Sequence, residues 1–385
     1  MAAGTDTRRP LLVVARSARA LAQAARAAGY APRVVDLFGD VDTRASAARY
    51  LRVAPTRDFR FDDDALLAAI ARLAGRQKPP LVWGGGLEGS PALLGACRQH
   101  CEVLGTAPEA LAAIVSPAER YRRLQALGVA TPAVATARVP ATGRWLCKQG
   151  GEAGGLHVRV AAPGMSLAAA EYAQAFVRGR SLSVALLAGH RRVQVLGCSA
   201  HLFVPASAAP FGWSGAIGGI TLPRRVRRDI DDVVPALAEA FGLRGLCGID
   251  FVLDGDGRWW VVDINPRPTA TLELLVSPGA ALRAHLAACR DRDWRDLVPR
   301  ARRRALAVPY LSDPIRVAKS LDWPAWVADR PGPGARLPRG APLCSVMATG
   351  DTADAALRAL HRRLSRLGRL LGGAFPLPVP RQPDA

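Results

Sequence analysis

Two β-rich runs, residues 248–253 and 258–264, are joined by Asp254-Gly255-Asp256-Gly257, and they constrain this chain more than any other feature. The turn chemistry predicts an antiparallel hairpin. Side chains alternate along a strand, so Asp263 and Asn265 share one face. Asp250 lies on the facing strand, and the three oxygen-bearing side chains can converge. Asp250 and Asp263 sit among Ile249, Phe251, Val262 and Ile264, where a carboxylate is costly unless it is paired or bound to metal. Two carboxylates and one amide oxygen suit Mg²⁺, which keeps the rest of its shell for water and phosphate oxygens. Pro266 then forces an extended turn, and Arg267 beyond it reaches a phosphate or a carboxylate.

A second constellation reads Cys147-Lys148-Gln149-Gly150-Gly151-Glu152-Ala153-Gly154-Gly155-Leu156-His157. A strand delivers a lysine to a loop in which glycines let backbone N–H groups approach phosphate oxygens. It is not a Walker loop, because the lysine precedes the glycines and no helix-capping Ser or Thr follows. Lys148 stands out because Lys78 and Lys319 are the only other lysines beside 49 arginines. The formal charge of +20 by itself points to a polyanion. The arginines are spread along an Ala-, Gly- and Pro-rich chain with no zinc-finger, helix-turn-helix or RNP-like signature. Nucleic acid is therefore not the expected partner.

Short apolar runs at 11–15, 33–37, 81–83 and 103–104 alternate with amphipathic stretches at 18–28, 64–73 and 91–100. This rhythm predicts a doubly wound parallel sheet over residues 1–105, with ligand loops at the carboxyl ends of its strands. Those loops are Arg16 to Arg19, Phe38 to Asp42 and Gly84 to Gly89. Residues 106–280 read as helices, then strands at 145–148, 156–160 and 171–177, a hairpin at 182–196 around Gly189, a Gly-rich loop at 210–219 and a helix at 229–241 ahead of the acidic hairpin. A small α+β region follows over 281–385, with a strand at 343–348, a helix at 353–371 and a mobile Pro-rich tail after 375. No long apolar run predicts a membrane span. Seven scattered cysteines, with only Cys97 and Cys101 close together, predict reduced thiols and a cytoplasmic protein. Nothing among the histidines or cysteines suggests a covalent nucleophile.

A lysine before a glycine loop, a linker Gln174-Ala175-Phe176-Val177-Arg178-Gly179-Arg180-Ser181, and then Asp250 with Asp263-Ile264-Asn265-Pro266-Arg267 together resemble the ATP-grasp superfamily over about residues 106–280. Ser17-Ala18-Arg19 and Asp36-Leu37-Phe38-Gly39-Asp40-Val41-Asp42 more narrowly resemble predicted ATP-dependent carboligases distantly related to biotin carboxylase. The resemblance implies an α/β and α+β protein: a Rossmann-like domain, an ATP-grasp fold of two α+β subdomains with a lid at about 145–185, and a small C-terminal domain. It implies that Lys148 contacts the phosphates of ATP and that Gly151, Gly154 and Gly155 close over them. Gln174, Phe176 and Val177 would form the adenine linker, with backbone groups of the last two pairing the base. Asp250, Asp263 and Asn265 would hold Mg²⁺, or Mn²⁺ in its place, and Lys148 and Arg267 would act in catalysis.

This sequence departs from the family pattern at three places. The usual second ATP lysine is missing near Ser116-Pro117-Ala118-Glu119-Arg120-Tyr121, where Arg120 or Arg122 can substitute. Ser181 stands where an acid usually binds ribose, and Asp263 stands where a glutamate usually binds metal. The implied activity is that of a carboxylate–amine ligase working through an acyl phosphate, including amino acid ligases of coenzyme or peptide biosynthesis. The alternatives are carboxylation in the manner of biotin carboxylase and, in another class, a non-catalytic polyanion-binding protein. The expected partners are a small carboxylate and an amine, with a homodimer compatible with the family.

Overall fold

The computed structural model of the chain describes residues 8–56, 58–204 and 209–380. Its first layer is β1 (Pro10–Val14), α1 (Arg19–Ala27), β2 (Ala31–Asp36), α2 (Val41–Ser46), β3 (Arg49–Arg52), α3 (Asp63–Ala74), β4 (Pro80–Trp83), α4 (Pro91–Cys97) and β5 (Glu102–Leu104). All five strands are parallel, in the order β3-β2-β1-β4-β5. Leu11, Leu12, Val13 and Val14 are fully buried, as a strand covered on both faces requires. The chain direction across the sheet reverses between β1 and β4, so Arg16-Ser17 and Gly84-Gly85 flank the crevice where such sheets hold ligands. The α2–β3 segment has no strong apolar period and was not apparent in the sequence. β3 is an edge strand, held by its pairing with β2.

Helices α5 (Pro108–Val115) and α6 (Pro117–Ala126) meet at Ser116, whose hydroxyl caps α6 by accepting from the Glu119 N–H at 3.3 Å. Next, β6 (Val134–Ala135), β7 (Trp145–Gln149), β8 (Arg159–Ala161) and β9 (Glu171–Ala175) form an antiparallel sheet in the order β6-β9-β7-β8. The strand expected at 156–160 begins only at Arg159. Gly154 and Gly155 adopt positive φ (83° and 69°), which swings the chain away from β7 until Arg159 pairs with Cys147. This small sheet starts at Val134 and stops at Ala175, because the following strand pairs elsewhere.

The remaining elements are β10 (Arg180–Ala188), β11 (Val193–Leu202), β12 (Gly215–Gly218), α7 (Arg224–Ala240), β13 (Gly245–Leu253), β14 (Trp259–Asn265), α8 (Leu272–Leu275), α9 (Pro278–Cys289), β15 (Arg303–Ala307), β16 (Ile315–Arg316), β17 (Val327–Ala328), β18 (Arg336–Leu337), β19 (Ser345–Gly350) and α10 (Ala353–Leu370). A large sheet runs β14-β13-β10-β11-β12-β15-β19-β17, and β16 and β18 make a separate ribbon. Residues 210–219 read as a loop, yet Gly215–Gly218 form β12. A side chain at Gly215 would run into the Leu306 carbonyl, and one at Gly218 would lie 2.5 Å from the Leu274 Cβ. The glycines are thus what lets this strand pack closely. The tail after 375 was expected to be mobile. Val379 within it exchanges backbone hydrogen bonds of 3.0 and 2.9 Å with Phe203, and His361 Nε2 lies 2.8 Å from the Pro378 carbonyl. Residues 381–385 of that tail lie outside the described residues. No helix among the described residues is long and apolar enough to cross a membrane.

Arg19, at the start of α1, is only 5% exposed. It donates to both Glu273 oxygens at 2.9 Å and to Asp329 at 3.2 and 3.1 Å. The Ser17 hydroxyl donates to Asp329 at 2.8 Å, and the Asp42 carboxylate accepts from the Asp329 and Arg330 N–H groups at 2.9 and 3.0 Å. The two N-terminal motifs therefore fasten the C-terminal segment to the first sheet. Asp40 is buried beside this junction. Burial, then the charges of Asp329, Asp36 and Asp42, push its carboxyl up to about 8, while Arg19 opposes the rise. An unfolded aspartate ionises near pH 4. From there to pH 8 the folded state keeps a proton that the unfolded state has lost, so stability falls as pH rises through this window and levels off above it. Asp40→Asn removes that slope, at most about 1.4 kcal/mol per pH unit. Melting curves from pH 4 to 9 should show the variant gaining on the wild type up to pH 8, and a constant difference would contradict the assignment.

Candidate active site

A cavity of about 530 Å³ lies where the three sheets approach one another. Lys148, Gly151, Gly154, Gly155, Gln174, Phe176, Val177, Ser181, Asp250, Asp263, Asn265 and Arg267 all line it. Lys148 comes from the end of β7. Its Nζ donates to Gln174 Oε1 at 2.6 Å, and Gln174 Nε2 donates to the Val262 carbonyl at 3.3 Å. A lysine, the linker and the acidic hairpin are thus tied in series. Leu146, Val158, Phe176 and Phe211 cluster into an apolar wall beside the linker, with the two phenyl rings edge to face at 6.4 Å. The Phe176 N–H donates to the Arg144 carbonyl at 2.8 Å, so it is not a free donor for a base edge.

On the hairpin, Asp250 pairs directly with Asp263 and Gly248 with Asn265. Two carboxylates facing each other repel unless a cation intervenes. Burial raises the Asp263 carboxyl above its usual value; Arg120 opposes the rise and Asp250 adds to it. Arg120 is 6% exposed and lies 3.5 Å from Asp263, donating also to the Ile114 carbonyl (2.8 Å) and the Tyr172 hydroxyl (3.1 Å). Of the two arginines weighed for the missing lysine, Arg120 faces the cavity. Arg122 is on the surface, bonded to Glu119 at 2.9 and 2.7 Å.

Two carboxylates and a neighbouring amide match the oxygen-rich, incompletely filled shell that Mg²⁺ takes in such sites. Asn265 directs its Nδ2 to Asp250 at 3.0 Å and its Oδ1 to Arg267 at 3.2 Å. A half-turn of the amide would bring its oxygen to the carboxylates. Among the described residues no cluster of three His, Cys, Asp or Glu side chains offers another metal site. Cys97 and Cys101 are buried thiols that burial pushes up to about 11 and about 12.

Several contributors carry no motif. Ser181 Oγ lies 3.1 Å from His201 Nδ1, and His201 Nε2 lies 3.7 Å from Asp250. Burial lowers the His201 pKa while Asp250 opposes the fall. His157 is also lowered, to about 4, by burial and then by Lys148, Arg16 and Arg60. The glycine loop is closed over the cavity. Glu152 bonds Arg16 (3.2 Å) and Arg60 (2.6 Å), the Trp213 N–H donates to the Gly154 carbonyl (2.8 Å), and Gly151 packs so tightly on Gly89 that an added Cβ would sit 2.5 Å from its Cα.

Arg267 Nε is paired with Glu88, a residue of the glycine loop after β4, and Glu88 also accepts from the Gly86 N–H at 2.5 Å. Burial works to raise the Glu88 carboxyl, but Arg267 and the loop N–H groups hold it below the usual carboxylate range. The glycines marked this loop in the sequence; the pairing with Arg267 across 179 residues left no trace there. Removing one member of a buried pair strands the other charge and costs about 3–5 kcal/mol. Glu88→Gln and Arg267→Met should each destabilise by about that much. The double variant should lose clearly less than their sum, as urea titrations would show.

Residues 118–271 match the ATP-grasp domain family. No curated protein matches the chain by sequence. Among solved structures, biotin carboxylase from Campylobacter jejuni superposes with a TM-score of 0.73 at 14% identity, covering 94% of this chain and 92% of that one. The biotin carboxylase domain dimer of Hydrogenobacter thermophilus 2-oxoglutarate carboxylase, solved with MgADP, ADP and bicarbonate, gives 0.72 at 11% identity, with 93% and 89% coverage. L-amino acid ligase from Bacillus licheniformis gives 0.62 at 13% identity, with 93% and 98% coverage. With a doubly wound sheet leading into a small sheet and a large sheet that enclose one cavity, and with the match over residues 118–271, this chain carries an ATP-grasp domain in a fold similar to that of biotin carboxylase.

Proposed function

We propose that this protein is an ATP-dependent carboxylate–amine ligase. The observation that carries the reading is the in-register pair Asp250 and Asp263, facing the cavity that also receives Lys148 and the glycine loop. Asp250, Asp263 and, after rotation of its amide, Asn265 hold Mg²⁺ or Mn²⁺. The metal supplies charge neutralisation for phosphate oxygens. The linker from Gln174 to Val177 and the wall of Phe176 and Phe211 accommodate the adenine, with Ser181 and His201 on the ribose side. Lys148 and Arg120 neutralise phosphate charge, and Gly151, Gly154 and Gly155 admit phosphate oxygens close to the backbone.

In the first half-reaction a substrate carboxylate oxygen bonds to the γ-phosphorus as the bond to the bridging oxygen breaks, leaving ADP. In the second, an amine nitrogen bonds to the acyl carbon, the carbon–oxygen bond to phosphate breaks and the amine loses a proton. The products are an amide, ADP and phosphate. Arg267, held in place by Glu88, stabilises the negative charge that shifts between these oxygens. The chain need only position the reactants, which agrees with the lack of an activated serine or cysteine at the site.

Lys148→Ala should lower ATP-dependent phosphate release by at least about a hundredfold, a typical effect of removing one electrostatic contact. Asp263→Ala should do the same and also weaken the response to Mg²⁺. Phosphate release and amide formation, measured against pools of amino acids, polyamines and small acids, test this directly. Undiminished nucleotide binding and turnover in both variants would refute it.

A further inference from the structure

The cavity lining also includes Arg16, the packed pair Trp213 and Leu306, and Val308, whose N–H donates to the carbonyl of Ser214 beside Trp213. The other guanidinium groups that line the cavity are committed. Arg19 is held by Glu273 and Asp329, Arg120 by Tyr172 and Asp263, and Arg267 by Glu88 and Asn265. Arg16 is not. Its one ion pair among the described residues, to Glu152 at 3.2 Å, is with a carboxylate that Arg60 shares at 2.6 Å. Its Nε–H is shut off from solvent and meets no acceptor among the described residues. A buried donor left unmatched is unfavourable, and such groups in native proteins normally find a partner.

The seat of this side chain is nevertheless well defined. The Arg16 N–H donates to the Gly85 carbonyl at 2.8 Å, and its own carbonyl accepts from the Leu37 N–H at 3.1 Å. Gly86 takes φ +111°, and a Cβ there would lie 2.6 Å from the Arg16 Cγ. The loop after β4 is thus shaped around the arginine, at the crevice where the first sheet changes direction. Tyr310, which burial pushes up to about 12, senses the same charge.

Resting on the ligase reading, we propose that Arg16 is a specificity-determining residue. It holds a substrate carboxylate other than the one that is activated, with the apolar body of that substrate against Trp213, Leu306 and Val308. One of the two substrates is therefore an amino acid with its carboxylate free, or a dicarboxylic acid. A guanidinium recognises a carboxylate through two parallel N–H donors, and its loss strongly penalises a substrate that relied on it.

The test uses the full chain with Mg-ATP. Each L-amino acid is compared with its carboxamide, and each dicarboxylic acid with its monomethyl ester, by phosphate release and by the shift in melting temperature. Free acids should exceed their neutral partners by about tenfold or more in kcat/KM. Arg16→Met should abolish that preference and raise their KM about tenfold or more, while the KM for ATP stays within about twofold. Glu152→Gln, which removes the ion pairs to Arg16 and Arg60 but keeps Arg16, should keep the preference. Equal use of acids and carboxamides by the wild type, an unchanged KM in Arg16→Met, or the same loss of preference in Glu152→Gln would overturn the proposal. Absence of phosphate release with every compound would count against the ligase reading instead. In that case a carboxylate-dependent melting shift present in the wild type and lost in Arg16→Met supports the site, and no such shift overturns it.

Discussion

Arg19 brings a full positive charge into the interior, and the arrangement of the chain follows from the need to neutralise it. An unpaired guanidinium there would cost several kcal/mol. Its partners come from two distant places: Glu273, just after the acidic hairpin, and Asp329, beside β17. Meeting both fixes α1 against α8 and against the C-terminal segment at once. Asp329 adopts φ of 52°, a strained value for a residue with a side chain, and three sets of hydrogen bonds hold it there. The first sheet, the hairpin and the final third of the chain thus meet at one arginine.

That junction places the walls of the cavity. The glycine loop after β4 reaches Arg267 through Glu88, and the loop after β1 reaches the lid through Arg16 and Glu152. The hairpin supplies two carboxylates that oppose each other across adjacent strands, an arrangement that calls for a cation. Neither end of the cavity is built from one contiguous segment. Lys148 and the glycine loop come from the small sheet, Asp250 and Asp263 from the large sheet, and Arg16 and Leu306 from the first sheet and β15.

The strong basic charge acquires a different meaning in this setting. Arg19, Arg120 and Arg267 each face a specific carboxylate, and many exposed arginines pair locally, as Arg122 and Arg123 do with Glu119. Arginine suits such pairs because its planar fork matches a carboxylate and stays charged when buried. Part of the arginine content therefore serves internal attachment.

The sequence alone determined the local features. Alternation fixed which face of the hairpin carries Asp263 and Asn265, the Asp-Gly turn set the pairing of its strands, and the scarcity of lysine singled out Lys148. Periodicity revealed the parallel sheet because β1, β2 and β4 are short, largely buried apolar runs. It did not reveal α2, β3 or β12, whose residues are held by neighbours and not by their own pattern. The pairings of Arg19 with Asp329, Glu88 with Arg267 and Ser181 with His201 were equally hidden. So was the docking of Val379 on Phe203. These depend on contacts between residues far apart in the chain, and an arginine or a glutamate reads the same in sequence whether it meets solvent or a buried partner. Only the tertiary structure decided which charges are spent on holding the fold and which, like Arg16, keep donors for a ligand.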